Sequence, residues 1–219
     1  INIHNIAKII VYCSKNNYNN IEISMENFMA ENFKEKIRDK SRDELTKSLI
    51  GIGIDAMMSE RGLKEEKIGK SWLRGSLGII NIQDQPVQWI NVVKQSGSQH
   101  APPKWFFIYF IPDIRISDRN KIKIKTFRKR SFLSIFGKII DVIWTGKDMN
   151  TGLSKILYND LDIKIFAKNI GDIQIETHSD IVKGWTIRLN GRHAGPPAVY
   201  SETWKNLGKI TKQLLSLPI

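Results

Sequence analysis

The sequence predicts an α+β fold, and three observations support this prediction. Apolar residues recur at helical spacing within residues 25–61. Beyond residue 71, Ile- and Val-rich segments that often alternate with polar residues indicate strands. Regular β–α–β alternation is absent, which argues against a parallel doubly wound sheet. We therefore expect N-terminal helices, a mainly antiparallel, bent or partly closed sheet with one inserted helix, and a C-terminal helix packed on the sheet.

The bulk composition is that of a globular protein. The chain has 219 residues, of which 41% are hydrophobic and 26% charged, so a core of useful size can be buried. The single cysteine, Cys13, cannot form an intramolecular disulfide. No apolar run reaches the roughly 18 residues that a membrane-spanning helix needs, and the N-terminus lacks the features of a signal peptide. We expect a soluble, cytoplasmic protein.

We divide the chain into three parts: an N-terminal extension (1–24), a helical segment (25–70) and a sheet-rich α+β domain that ends in a helix (71–219). The extension is rich in Ile and Asn, and its origin is open. It is either a non-native or disordered stretch, read from an AT-rich region upstream of a start at Met25, or a genuine strand or short helix around residues 6–12.

The helical segment shows two successive apolar stripes. The first occupies residues 28–37. The sequence from Ser41 to Glu44 fits a capping box, which predicts that a second helix begins there. We expect this charge-balanced segment to pack on the sheet or to mediate self-association through residues 25–61. The predicted buried stripe of the second helix comprises Leu45, Leu49, Ile50, Ile54, Met57 and Met58.

The first strands of the sheet are predicted from short apolar runs at residues 78–82, 87–93 and 105–111. The last of these runs contains no polar residue, which indicates a strand buried on both faces. Pro112 is expected to break this strand, and residues 114–117 are a candidate continuation.

The second half of the sheet is predicted from alternation. Residues 121–125 read Lys-Ile-Lys-Ile-Lys, which places two isoleucines on a core face and three lysines on the opposite face. Ser131 is a candidate cap for an inserted apolar helix over 132–144. Further strands are predicted at 161–167, 170–177 and 184–190, and a closing helix at 201–215.

Charge is concentrated in one stretch of the chain. The net charge is +12, yet residues 25–70 contain ten basic and ten acidic residues and sum to zero. Residues 104–138 contain ten basic and two acidic residues, a net +8. A local field of one sign attracts anions, so this stretch is the leading candidate for a binding surface.

We expect a non-catalytic binding domain that meets an anionic partner through a basic face. Lysines at every second position of a strand lie about 6–7 Å apart, close to the phosphate spacing of a nucleic-acid strand. The alternative is a solvated edge strand, whose lysines only prevent aggregation. The candidate anion-binding residues are Arg119, Lys121, Lys123, Lys125, Arg128, Lys129 and Arg130.

Three kinds of anionic partner are open. A nucleic acid would be bound through its backbone, because Phe127 is the only aromatic residue interleaved with the basic ones. An acidic protein would satisfy the same charges. An acidic membrane surface is disfavoured, since the predicted helix over 132–144 has only two charged residues and looks buried rather than interfacial.

The enzymatic alternative is a magnesium-dependent nuclease. Pro112-Asp113, followed later by Asp162-Ile163-Lys164, resembles the skeleton of the PD-(D/E)xK nucleases. This resemblance implies that Asp113 and Asp162 would bind Mg²⁺ and that Lys164 would position water or stabilise charge. The match covers five residues, with a long spacing and an apolar segment between its halves.

Other chemistry has no support in the sequence, and no cofactor or metal is expected from it. The four histidines are scattered, and Cys13 has no nearby partner, so a zinc ligand set is missing. A phosphate-cradling glycine loop and a nucleophile elbow are missing as well.

Overall fold

The computed structural model describes residues 39–83, 85–131, 138–190 and 199–219. These residues contain one eight-stranded sheet and four α-helices. The strands are β1 (Ala56–Met58), β2 (Arg74–Ile82), β3 (Trp89–Gln95), β4 (Lys104–Pro112), β5 (Lys123–Arg130), β6 (Ile139–Lys147), β7 (Ile173–His178) and β8 (Gly184–Asn190). The helices are α1 (Ser41–Gly51), α2 (Leu153–Asn159), α3 (Leu161–Ile170) and α4 (Ser201–Leu215), with a 3₁₀ turn at Lys64–Lys67.

The strand order in the sheet is β1-β2-β3-β4-β8-β7-β5-β6. Every neighbouring pair is antiparallel, and the sheet is not closed. The predicted α+β class with an antiparallel sheet is therefore confirmed. β4 and β8 lie in the middle, and β1 and β6 are the two edges. The central position of β4 explains why its apolar run has no polar interruption.

The sheet has two faces with different covers. On the inner face, side chains such as Tyr109, Ile124 and Ile187 belong to the larger core, to which all four helices contribute buried residues. The predicted packing of the C-terminal helix is confirmed by an edge-on contact between Trp204 of α4 and Tyr109, with ring centroids 6.3 Å apart. The outer face carries a smaller apolar cluster around β3 and β4: Ile68, Ile79, Trp89, Val93, Phe106, Ile108 and Phe110.

The second predicted helix is correct in its start and wrong in its extent. α1 ends at Gly51, and Gly53 has a φ of +83°, a conformation that stops a helix and suits glycine. The chain then enters β1, where Met57 and Met58 of the predicted buried stripe are exposed; Ile50, in the last turn of α1, is exposed as well. Leu45 and Leu49 are buried as predicted. The predictions for residues 1–38 lie outside the described residues.

The capping box is also wrong. Ser41 is the first residue of α1, and the Lys40 cap position has no side-chain hydrogen bond. The Ser41 hydroxyl instead accepts a hydrogen bond of 2.9 Å from the Trp105 indole N–H. The serine thus satisfies a polar atom of the sheet rather than a free amide of the helix.

Between β5 and β7, part of a predicted helix is a strand, and a predicted strand is a helix. Of the predicted helix over 132–144, residues 132–137 lie outside the described residues and the rest form β6, which pairs with β5. β-branched residues favour this outcome, since β6 contains three isoleucines and one valine. The predicted strand at 161–167 is helix α3, whose first turn is capped by the Asp160 carboxylate accepting from the Ile163 amide.

The segment after β4 forms a polar latch instead of continuing as a strand. Asp113 is buried, and its carboxylate accepts hydrogen bonds from Arg115 (2.7 and 2.9 Å) and from the Trp185 indole N–H (3.1 Å). Arg115 also donates to the carbonyl oxygens of Leu215 and Leu217, at the C-terminal end of α4. These carbonyls have no partner within the helix, so the arginine ties α4 to the sheet.

The latch makes stability depend on pH. Burial alone would raise the pKa of Asp113, but the hydrogen bonds from Arg115 and Trp185 outweigh burial and hold the pKa below its ordinary value. A carboxylate with a lowered pKa stabilises the fold above the unfolded-state pKa of about 3.9, and this contribution is lost as the pH falls through the folded-state pKa.

We predict that Asp113→Asn lowers the free energy of unfolding at pH 7 by about 2 kcal/mol, because the substitution weakens a charged hydrogen-bond network around a buried group. The variant should also lose the part of the acid-induced destabilisation that wild type shows below about pH 4. Urea unfolding at several pH values measures both effects. Asp55→Asn, at an exposed position, is the matched control; equal losses in the two variants would contradict the latch.

Candidate functional site

The basic strand β5 projects a row of side chains from the outer face of the sheet. Ile122 and Ile124 are buried in the inner core, and the lysines that flank them are exposed, so the predicted alternation is confirmed. Regular pairing begins at Lys123, two residues later than predicted. The exposed outer row consists of Lys121, Lys123, Lys125, Phe127 and Lys129, and we call it the lysine row.

The lysine-rich half of β5 is not a sheet edge. β5 pairs with β6 along its whole length and with β7 at Lys123–Lys125. β6 is the edge strand of this side of the sheet. Lysines that guard against aggregation belong on an exposed edge, so edge protection does not account for Lys123 and Lys125. Lys123 and Lys125 are exposed because they point to the outer face of the sheet, opposite the buried isoleucines.

Two threonine hydroxyls extend the short pairing of β5 with β7. Thr126 accepts a 2.9 Å hydrogen bond from the Ile173 amide. At the other end, Thr177 accepts a 3.0 Å hydrogen bond from the Ile122 amide and donates to the Asn120 carbonyl. These hydrogen bonds lie at the two ends of the ladder of three residue pairs between β5 and β7, and they hold the lysine row in register.

β6 approaches β5 closely opposite the lysine row. Gly146 has a φ of +133°, and a Cβ at this position would collide with the Lys123 carbonyl. Only glycine fits this backbone path, and it brings Lys147 directly opposite Lys123. The close approach adds a cation from β6 to the face that the lysine row occupies.

The ion pairs of the basic segment leave much of its charge unneutralised. Lys123 donates to Glu176 at 2.9 Å. Arg128 turns inward, with a side chain only 6% exposed and 3.3 Å from Asp172, so it is not presented to an external anion. Lys121, Lys125 and Lys129 have no ion pair within the described part of the chain. Arg119 and Arg130 are exposed and flank the lysine row.

The sequence did not identify Arg188 as part of this face. Arg188 lies on β8 opposite Gln174 of β7, and Gln174 lies opposite Lys125. The Arg188 guanidinium donates to the Gln174 side-chain oxygen at 2.6 Å, and the Gln174 amide donates to Glu176 at 2.8 Å. The alternation of residues 184–190 predicts a strand that contains Arg188, but it does not predict that this strand lies beside β7.

A groove of about 600 Å³ lies at the start of β5. Three lysines line it (Lys121, Lys123 and Lys147), and three carboxylates do so as well (Asp118, Glu176 and Asp180). His178, also in its wall, has a pKa lowered mainly by burial and bonds to Thr186 at 2.9 Å. The lining is charge-balanced, so the groove alone does not select an anion.

The three residues of the nuclease alternative have separate partners. Asp113 is engaged by Arg115 and Trp185. Asp162 pairs with Lys209, and Lys164 pairs with Asp141 at 2.8 Å. None of these contacts joins the three residues to one another. Asp162 and Lys164 lie on helix α3, where the sequence predicted a strand.

No family model, no curated protein and no solved structure matches this chain. Within the described ranges, no group of three or more His, Cys, Asp or Glu side chains is arranged to hold a metal ion. The helices of the same ranges are all too short or too polar to cross a bilayer.

We predict that Thr126→Val lowers the free energy of unfolding by about 2 kcal/mol, because the isosteric change leaves the buried Ile173 amide without an acceptor. Faster hydrogen exchange of the Ile173 amide should accompany this loss. Thr145→Val is the control, since it removes only a 3.5 Å contact near the surface. Unchanged exchange at Ile173 would show that Thr126 does not hold β7 in place.

Proposed function

We propose that this protein binds the backbone of single-stranded nucleic acid along the lysine row. The observation that carries this proposal is the presence of exposed lysines without ion pairs, Lys121, Lys125 and Lys129, on one outer face of a strand. A charge that the fold itself does not neutralise is available to an external anion.

The spacing of the lysine row suits an extended polyanion. Alternate residues of a strand lie about 6–7 Å apart and point the same way. The three lysines without ion pairs follow one another at every fourth residue, about 13 Å apart, so they can contact alternate phosphates without rearrangement of the backbone. A point charge on a flexible stem contacts phosphate without reading base identity, so the expected binding is insensitive to sequence.

Phe127 favours a single strand over other polyanions. Its side chain is 55% exposed and lies in the lysine row between Lys125 and Lys129. Ile143 is its partner across the ladder to β6 and lies on the same face of the sheet. An unpaired base can stack on this ring, whereas a duplex or an acidic peptide offers no free base. The exposed ring among the lysines therefore supports a single strand as the partner.

The first test replaces the three unpaired lysines with glutamine (Lys121, Lys125 and Lys129) and measures binding of a labelled oligonucleotide by fluorescence anisotropy during a salt titration. Wild type should bind with an affinity that falls steeply with salt, at about 0.7 in log–log slope for each phosphate contact. The triple variant should bind at least tenfold more weakly at low salt, with a slope reduced by about 2.

The matched control removes three exposed helical lysines, Lys155, Lys205 and Lys212, and so has the same net charge as the triple variant. It should bind nearly as tightly as wild type. Equal weakening of both variants would mean that net charge alone attracts the oligonucleotide. Absence of binding by wild type at low salt would refute the proposal.

The second test addresses the ring. Phe127→Ala should weaken single-strand binding by about tenfold, since a stacked base contributes about 1–3 kcal/mol. Binding of polyglutamate or of a duplex should not change. Leu161→Ala, at an apolar position of similar exposure on α3, is the control. If polyglutamate binds more tightly than the oligonucleotide and ignores the change at Phe127, the partner is an acidic protein instead.

A further inference from the structure

We infer that the outer face holds a second, discrete site: a phosphate-binding subsite formed by Arg74 and Arg188 over the ring of Phe106. The two arginines come from β2 and β8, on opposite sides of β4, which carries Phe106. Neither arginine belongs to the basic segment of β5. The subsite is therefore distinct from the lysine row, although Arg188 and Lys125 share one row across the sheet.

The geometry places two guanidinium groups on one aromatic ring. The guanidinium carbon of Arg74 lies 4.4 Å from the centroid of Phe106, and that of Arg188 lies 5.9 Å from it. The two carbons are thus at most about 10 Å apart. Phe106 itself is only 5% exposed, so its ring is a water-excluded apolar surface next to both guanidinium groups.

The described residues do not satisfy every hydrogen-bond donor of the Arg188 guanidinium. One of its terminal nitrogens donates to Gln174, but the buried Nε has no hydrogen-bond partner among the described residues. The side-chain oxygen of the adjacent Asn190 has none either. A buried guanidinium N–H almost always finds an acceptor in a folded protein, so an acceptor from outside the described fold is expected here.

The charges around the two arginines are not balanced by the fold. Burial, followed by the positive charge of Arg74, lowers the pKa of Arg188. Of the nearest carboxylates, Glu176 receives hydrogen bonds from Lys123 and Gln174, and Asp172 pairs with Arg128. Among the described residues, the hydrogen bond of the Arg74 guanidinium goes to the neutral side-chain oxygen of Gln95, at 3.4 Å, and not to a carboxylate. An anion between the arginines would supply both the missing acceptor and the missing negative charge.

The shape of the donors favours phosphate over a simple ion. A guanidinium presents two parallel N–H groups that match two oxygens of one phosphate, and two arginines can share its remaining oxygens. Such a group can come from free phosphate or from the terminal phosphate of a nucleic-acid strand. In the second case the subsite would fix one end of the strand that the lysine row binds.

The test uses inorganic phosphate and isothermal titration calorimetry on the full chain. Wild type should bind phosphate at one site, and phosphate should raise its Tm. Arg188→Lys and Arg74→Lys keep the positive charge but remove the two parallel N–H groups of the guanidinium. Each substitution should weaken phosphate binding at least tenfold. Lys155→Gln, at an exposed position of α2, is the control: it removes one positive charge outside the basic segment and should bind phosphate like wild type.

Two further measurements separate this inference from the proposed function. The variant lacking Lys121, Lys125 and Lys129 should still bind inorganic phosphate, whatever it does with oligonucleotides. A 5′- or 3′-phosphorylated oligonucleotide that binds wild type more tightly than its unphosphorylated form, but not Arg74→Lys, would identify a terminal phosphate as the source; equal binding of the two forms, with phosphate bound, would identify free phosphate.

Absence of phosphate binding by wild type, or equal binding by the folded Arg74→Lys and Arg188→Lys variants, would overturn the subsite. Thermal unfolding verifies that each variant is folded. Arg74→Lys carries the test if Arg188→Lys does not fold.

Discussion

Burial of β4 on both faces is the constraint on which the rest of the structure depends. Its side chains alternate between the two cores, with Phe107, Tyr109 and Ile111 inside and Phe106, Ile108 and Phe110 outside. An apolar strand of this kind is stable only when both faces are covered. All four helices contribute side chains to the inner core, whereas the outer apolar cluster lies around β3 and β4. Within the described part of the chain, the lysine row on the outer face of β5 is exposed.

The lysine row lies on the part of the outer face that the apolar cluster around β3 and β4 does not occupy. Lys121, Lys125 and Lys129 are exposed, and no carboxylate of the described residues pairs with them. Where carboxylates do reach the face, as Glu176 and Asp172 do, they are already bonded to other side chains. An external anion would therefore meet lysines that lose no internal ion pair on binding.

The lysine row and the arginine pair differ in the physics of recognition. Lysines on an exposed strand are flexible and hydrated, which suits a loose and salt-sensitive contact with a backbone. Arg74 and Arg188 are partly buried and lie against Phe106, which suits one group of defined shape. We propose that the two sites together bind a strand weakly along its length and one phosphate specifically.

The sequence by itself determined the fold class, the alternation at Lys121–Lys125 and the elements with one unambiguous period, such as β8 and α4. It did not determine β6 or α3, because apolar residues over 139–144 and 161–167 fit either period and only packing against β5 and α4 decided between them. Nor did it show Arg188 beside Lys125, or Asp113 apart from Asp162. Those relations depend on strand order, and strand order is fixed by contacts between residues far apart in the chain, which local pattern does not encode.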